Sequence, residues 1–306
     1  MQLFRIQPLG AKSGPKIEPG IGAEITGLDV AGAISDETFG AIEDAFNRYA
    51  VVVIRDQNPS REEFAAFSKR FGAPQVNVRQ KVKNADFQER IRSEIPEVSL
   101  ISNVIENGKP VGSQDAGRYW HSDLCYLQRP SKATLLHALE VPEKDGVVLG
   151  ATRFADVAAA YDALSEELKT RLDGLTAANS FRAMWKRKAV DFGKRQLLSD
   201  DELSAYPEDA VHPIARTHPI TGRKCLFVCD GYTSHIVGLA EQESDELLEN
   251  LYAHIVKRGF QYRHEWRQGD LLMWDNCTVQ HKASFDYALP QRRMMQRCTI
   301  EGSVPY

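Results

Sequence analysis

From Ser35 onward, apolar and polar positions alternate with periods that define elements. Behind Ser35, Asp36 and Glu37, which mark a helix start, Phe39, Ile42, Phe46 and Tyr49 recur at helical spacing. The amphipathic helix predicted there feeds the all-apolar run Val51 to Ile54, which reads as a buried strand. Ser60 and Glu63 form a capping box, and Phe64, Phe67 and Phe71 are the apolar stripe of a second helix ending at Gly72. That aromatic stripe is expected to be core packing. Up to Val30, glycines at 10, 14, 20, 22 and 27 punctuate short apolar alternations, predicting short strands and turns. Residues 77–97 are polar and weakly periodic, predicting a mobile loop or short helix over one face.

Strands are expected to dominate beyond residue 98: Val98 to Val104, Tyr119 to Tyr126, Ala133 to Val141, Cys225 to Val228, Gln261 to Trp266, Asp270 to Trp274 and Met294 to Ile300. Helical patterns cover Asp156 to Asp173 and Glu241 to Lys257, the latter with Leu247, Leu248, Leu251 and Ile255 on one face. The strands do not interleave regularly with helices, and neither G-x-G-x-x-G nor G-x-x-x-x-G-K-[ST] occurs. This disfavours a doubly wound nucleotide-binding fold and favours a mainly β architecture with α, a double-sheet barrel with helices packed outside.

Composition narrows the class. The 306 residues are 42% hydrophobic and 26% charged, which suits a soluble protein with one sizeable core. No Pro/Ser/Gly-rich linker marks a boundary, so a single domain over 1–306 with an insertion is expected. A net charge of -4 without single-sign blocks offers no footprint for nucleic acid, which leaves small molecules as the expected partners. The N-terminus MQLFRIQPLG lacks the features of a signal peptide, and no run approaches the ~20 apolar residues of a membrane span. A cytoplasmic protein is the expectation. The five cysteines, an odd number with no C-x-x-C pair, fit a reducing compartment. Cys125, two residues past Asp123, is expected to be a small buried thiol.

The chemistry concentrates at Trp120-His121-Ser122-Asp123. On a strand, residues i and i+2 share a face, so His121 and Asp123 would present an imidazole and a carboxylate together to a divalent metal. Far downstream come Trp274-Asp275-Asn276, His281, Arg292, Arg293 and Arg297. A third ligand from a separate strand, His281, would complete a 2-His-1-carboxylate face with open positions, the geometry of non-haem Fe(II) oxygen chemistry. Zinc hydrolysis on the same three residues, or a non-catalytic metal-binding protein, are the competing readings. The arginines separate them. A keto acid chelating iron supplies electrons for oxygen activation, and its distal carboxylate needs a charge-assisted partner. Arg293, twelve positions beyond His281, is placed for that role, and its even spacing from Arg297 puts both on one side of a strand.

The chain resembles the TauD/TfdA family of 2-oxoglutarate-dependent dioxygenases through YWHSD, GATRF at 150–154, AAYDAL at 159–164, RTHPITGRK at 216–224, and WDNCTVQH followed by PQRRMMQR. The likeness runs nearly end to end, including the opening GIGAEITGLDV. It implies a double-stranded β-helix (a cupin-like jelly roll) with Fe(II) on His121, Asp123 and His281, and 2-oxoglutarate as co-substrate with O2. It also implies that Thr152 shares the distal 2-oxoglutarate carboxylate with Arg293, and that Arg297 meets the anionic end of a small substrate. Hydroxylation with release of succinate and CO2 is the implied reaction, followed by C–O, C–N or C–S cleavage where the oxidised carbon bears a heteroatom. Residues 77–97 and 179–207 would be lid segments, and a homo-oligomer, dimer or tetramer, is expected by analogy. Asn77 and Gly117 stand where a taurine-binding site would have His and Asn, which argues against taurine. Lys186, Arg187 and Lys188, with Lys194 and Arg195, read as a solvated helix face, with attraction of an anionic substrate as the alternative. Asn103, Trp185, Tyr232 and His235 are further candidates for lining the pocket.

Overall fold

A computed structural model of the chain describes residues 4–9, 20–75, 95–192 and 206–306. The expected lid segments fall outside them over 77–94 and 193–205, as do Lys194 and Arg195. The fold is mixed α/β, mostly sheet.

The strands used below, leaving aside four of two residues each, are β1 Arg5–Pro8, β2 Ala23–Thr26, β3 Val51–Ile54, β4 Val98–Ser102, β5 Ser131–Glu140, β6 Thr152–Asp156, β7 Thr176–Asn179, β8 Ala210–Pro213, β9 Ala215–Thr217, β10 Lys224–Leu226, β11 Thr233–Ile236, β12 Gln261–His264, β13 Leu271–Asp275, β14 Val279–Ala283 and β15 Met294–Glu301. The helices are α1 Asp36–Tyr49, α2 Arg61–Lys69, α3 Val157–Asp162, α4 Glu166–Leu172, α5 Phe181–Phe192 and α6 Glu241–Ile255.

Seven strands form the large sheet in the order β1-β2-β3-β13-β5-β15-β4, antiparallel except for β2 against β3. Its two faces bury alternate residues. Val52, Ile54, Leu135, Leu271, Met273 and Cys298 lie under α1 and α2, while Val51, Val53, Leu136, Leu272, Trp274 and Met295 face the other way. This double burial is why Val51 to Ile54 is apolar throughout. Fully burying side chains of this size contributes about 1.5–3 kcal/mol each. Phe154 of the three-stranded sheet β12-β6-β14 packs into that second cluster, so the two sheets meet face to face.

The helices on the large sheet start where the sequence predicts. Ser35 accepts from the Thr38 amide, and Ser60 and Glu63 complete the capping box. α2 stops at Lys69, short of Gly72, and Phe71 folds back against Phe39 and Phe67 with ring centroids 4.9 and 5.6 Å apart. The aromatic stripe is core.

Two expectations are corrected. Asp156 to Asp173 is two helices, because both Asp156 and Ser165 accept backbone amides as N-caps and restart the chain's direction. Tyr119 to Tyr126 is not a strand. His121 makes a single bridge to His281, and Asn276 then captures the next residues: its Oδ1 accepts from the Asp123 amide at 3.1 Å and its carbonyl from Ser122 Oγ at 2.7 Å. Leu124 follows at φ 55, turning the chain away from any ladder. The cysteines are all free and buried, with Cys125 Sγ 3.8 Å from Cys229 Sγ. Among the described residues, no helix is long and apolar enough to cross a membrane.

Candidate metal and co-substrate site

His121, Asp123 and His281 converge between the sheets. One nitrogen or oxygen from each lies within 4.8 Å of the others, and all three residues are buried. His121 Nε2 stands 3.7 Å from Asp123 Oδ1, and His281 Nε2 stands 3.8 Å from Asp123 Oδ2. These gaps exceed hydrogen-bond length, but metal–ligand bonds of about 2.1 Å would close them around one divalent ion. His121 Nδ1 lies 2.9 Å from the Tyr119 carbonyl and 3.0 Å from that of His281, so this nitrogen carries the proton and Nε2 keeps its lone pair for a metal.

The charge states suit a cation. Burial pushes the Asp123 carboxyl up, but protonated His281, with His121 and Arg297, outweighs it and holds the group well below the usual carboxylate range, so the carboxylate is already ionised where His281 gives up its proton. Burial, with His121 alongside, pushes His281 down to about 3 against the pull of Asp123, leaving it a neutral imidazole. The pair is also mechanically fixed. Thr134 Oγ1 donates to Asp123 Oδ2 at 2.7 Å, Asn276 Nδ2 to Thr134 at 3.0 Å, and Trp274 Nε1 to Asn276 Oδ1 at 3.1 Å. The His281 ring lies 4.6 Å from Trp274 and 6.1 Å from Phe154. Sequence reasoning noted the Trp-Asp-Asn run but assigned Asn276 no task. An amide directly after the strand Leu271–Asp275 was the signal available.

Thr152 joins the centre through the β6/β14 register. Phe154 faces His281 and Thr152 faces Ala283, so Thr152 and His281 are diagonal neighbours on one face. Trp266 Nε1 donates to Thr152 Oγ1 at 3.1 Å, and the Arg293 guanidinium sits 6.0 Å from the Trp266 ring and 5.9 Å from that of Tyr287. Arg293 is 4% exposed, and burial pushes its pKa down. Tyr287 and the more distant Asp286 oppose that shift only in part; among the described residues no carboxylate lies within ion-pair distance of the guanidinium, and its Nε has no hydrogen-bond partner. A buried guanidinium in this state is costly until an anion arrives. Its backbone is held by Asn103, which exchanges hydrogen bonds with it, so Asn103 positions Arg293 rather than lining the cleft. Gly150, at φ +71, was missed: a Cβ there would meet Arg293 Cδ and Nε at 3.2 Å.

A cleft opens beside His121 and Asp123, walled by Leu100, Ile101, Tyr126, Tyr232, Lys188 and Arg297 among others. Arg297 Nη1 is 3.9 Å from Asp123 Oδ1. Of the earlier candidates, Tyr232 is on this wall, His235 is exposed, and Trp185 packs 5.7 Å from Phe181. The basic cluster divides: Lys186 is exposed and Arg187 pairs with Asp230, but Lys188 is buried in the cleft wall, against the reading of a wholly solvated face.

Comparison with known proteins agrees with this geometry. The sequence profile described as taurine catabolism dioxygenase TauD, TfdA family matches residues 7–299. Pentalenolactone F synthase of Streptomyces arenae is 34% identical over 284 residues, covering 90% of this chain and 91% of that protein. The alpha-ketoglutarate-dependent 2,4-dichlorophenoxyacetate dioxygenase of Cupriavidus pinatubonensis is 32% identical, covering 92% of this chain and 95% of its own. The crystal structure of a taurine dioxygenase from Burkholderia xenovorans superposes with a TM-score of 0.74 at 27% identity, over 99% of this chain and 92% of that one. The zinc-hydrolase and binding-protein alternatives fall away: the chain belongs to the taurine catabolism dioxygenase TauD, TfdA family and is an oxidoreductase of the 2-oxoglutarate-dependent dioxygenase class.

Proposed function

We propose that the chain is a single double-stranded β-helix domain that hydroxylates a small anionic substrate, with Fe(II) on His121, Asp123 and His281. Bound together at such a face, ferrous iron and 2-oxoglutarate supply the chemistry of O2 reduction, one oxygen atom entering succinate as CO2 leaves and the other a substrate C–H bond. The residues' tasks follow from their settings. The two imidazoles and the carboxylate present three donors from one side, leaving the cleft side open for other ligands. Arg293, with the Thr152 hydroxyl, takes the distal carboxylate of 2-oxoglutarate and so orients the keto acid. Phe154, Trp274 and Trp266 keep water from that pocket. Arg297, on the cleft wall, takes the anionic end of the substrate. Where the hydroxylated carbon bears oxygen, nitrogen or sulfur, the product breaks down with bond cleavage.

The observation that supports this reading is the buried Arg293 guanidinium, which has no carboxylate within ion-pair distance among the described residues and is linked through Trp266 and Thr152 to the strand that carries His281. The test is Fe(II)-dependent consumption of 2-oxoglutarate with a panel of carboxylates, sulfonates and aryloxy acids, with succinate measured. No iron-dependent turnover across the panel, together with unaltered 2-oxoglutarate binding in Arg293→Ala, would reject it.

A further inference from the structure

The run RTHPITGRK at 216–224 supplies neither a metal donor nor a cleft wall, yet one of its side chains reaches the turn behind the ligands. His218, 4% exposed, lies between β9 and β10. Its Nδ1 accepts from the Ile220 and Thr221 amides at 3.1 and 3.0 Å, so the ring proton sits on Nε2, which donates to Asp275 Oδ2 at 2.7 Å. Burial pushes the imidazole down and Asp275 pushes it up further, but a second proton could enter only at Nδ1, where both amides already donate. Asp275, 2% exposed, ends β13 and takes two more donors: the Thr278 hydroxyl on Oδ2 at 2.6 Å and the Cys277 amide on Oδ1 at 2.8 Å. An apolar pair at 218 and 275 would fill this space without burying a carboxyl group, but could not fasten Cys277 and Thr278. Packing alone therefore does not account for the dyad.

The turn that Asp275 fastens serves two ligands. Asn276, inside it, accepts from the Asp123 amide and the Ser122 hydroxyl, and its own amide donates to the Lys132 carbonyl. Directly after Thr278 the chain enters β14, which delivers His281. Asp123 and His281 thus take their relative placement from residues 275–278, and His218 braces that turn from a separate hairpin.

We propose that His218 is a positioning residue for the metal centre: by holding the Asp275 carboxyl group it fixes the 275–278 turn, and through that turn the placement of Asp123 and His281 about the ion. This rests on the metal assignment above.

The test is Mn(II) titration of the full-length chain, with the visible absorption of Co(II)-loaded protein as a reading of ligand arrangement, at a temperature where circular dichroism shows each variant folded. In His218→Gln the side-chain nitrogen replaces Nε2 and keeps the bond to Asp275, leaving the exposed Ile220 and Thr221 amides to water. In His218→Asn the side-chain oxygen replaces Nδ1 and keeps those amides, but Asp275 loses a donor. The Asn variant is expected to bind Mn(II) roughly tenfold or more weakly and to shift the Co(II) bands, and the Gln variant to stay within about twofold of wild type with its bands in place. Thr278→Val removes the hydroxyl from the same oxygen and should weaken Mn(II) binding in the same direction. It decides the matter should the Asn variant not fold. A residue serving only the fold would lower the melting temperature of the Asn variant without changing the metal affinity or the Co(II) spectrum of the folded protein. That result, a Gln variant as weak as the Asn variant, or Mn(II) affinity unchanged in Thr278→Val overturns the proposal. Wild-type protein that binds no Mn(II), or His281→Ala binding it as tightly as wild type, overturns the metal assignment, and this proposal with it.

Discussion

His121 and His281, 160 residues apart in sequence, exchange both backbone hydrogen bonds, His121 N–H to the His281 carbonyl at 3.1 Å and the reverse at 2.9 Å. The bridge sets their imidazoles side by side with centroids 4.1 Å apart before any metal arrives. On the His281 side it uses main-chain atoms only, so that imidazole can be removed without breaking the bridge.

His281→Ala should therefore keep the fold and lose the metal. Without metal, its far-ultraviolet circular dichroism should match wild type. With Mn(II) at a hundredfold over the wild-type dissociation constant, wild-type protein should gain about 2.7 kcal/mol of unfolding free energy and the variant almost none. Denaturant melts with and without Mn(II) measure both. A variant stabilised as much as wild type would remove His281 from the ligand set.

Asn276 links the Asp123 amide, Thr134 and Trp274, so its loss strands several buried polar groups at once. Asn276→Ala should cost roughly 1–3 kcal/mol of stability and lower metal affinity about 10- to 100-fold, since Asp123 loses the partners that aim it. Metal titration at a temperature where the variant is folded separates the two effects. Unchanged metal affinity would show that Asp123 is aimed without it.

These two residues mark where the sequence stops being readable. The convergence of His121, Asp123 and His281 was legible because few residue types coordinate iron, and because local signals such as Ser60 with Glu63 and the run Val51 to Ile54 fixed the elements around them. The conformation of 121–126 was not, since a strand pattern cannot reveal that a side chain from residue 276 would replace the ladder. Asp156 to Asp173 kept helical periodicity through a break that depends on two caps. Lys188 looked solvated because its neighbours Lys186 and Arg187 are exposed, while helical rotation carries position 188 onto the stripe of Phe181 and Met184. In each case the decisive partner is remote in the chain.

The role proposed for Arg293 carries a stability cost that can be measured. Arg293→Met replaces a buried guanidinium by an apolar side chain of similar reach, so the protein without co-substrate should be more stable by on the order of 1 kcal/mol or more. Its affinity for 2-oxoglutarate should fall roughly 10- to 100-fold with the loss of charge-assisted hydrogen bonds. Thermal melts and co-substrate titration on metal-loaded protein check both signs. A destabilised variant with normal affinity would make Arg293 a structural residue.

Asp156 gives a pH dependence with a definite sign. Its Oδ1 caps α3 by accepting from the Ala158 and Ala159 amides at 3.0 and 2.8 Å, and burial pushes its carboxyl up to about 6 despite those bonds and the nearby Arg223. The folded pKa lies above the unfolded value, so the stability it contributes is complete below about pH 4 and is lost as pH rises through 6. Asn at this position keeps the accepting oxygen but cannot ionise. Asp156→Asn should therefore be more stable than wild type at pH 8, by roughly 1–3 kcal/mol, and the difference should shrink steadily as pH falls from 7 to 4. Taking the difference between the two proteins at each pH removes every other titrating group. Urea melts at several pH values supply it, and a difference that stays flat with pH would mean that Asp156 ionises in the folded protein as it does in the unfolded chain.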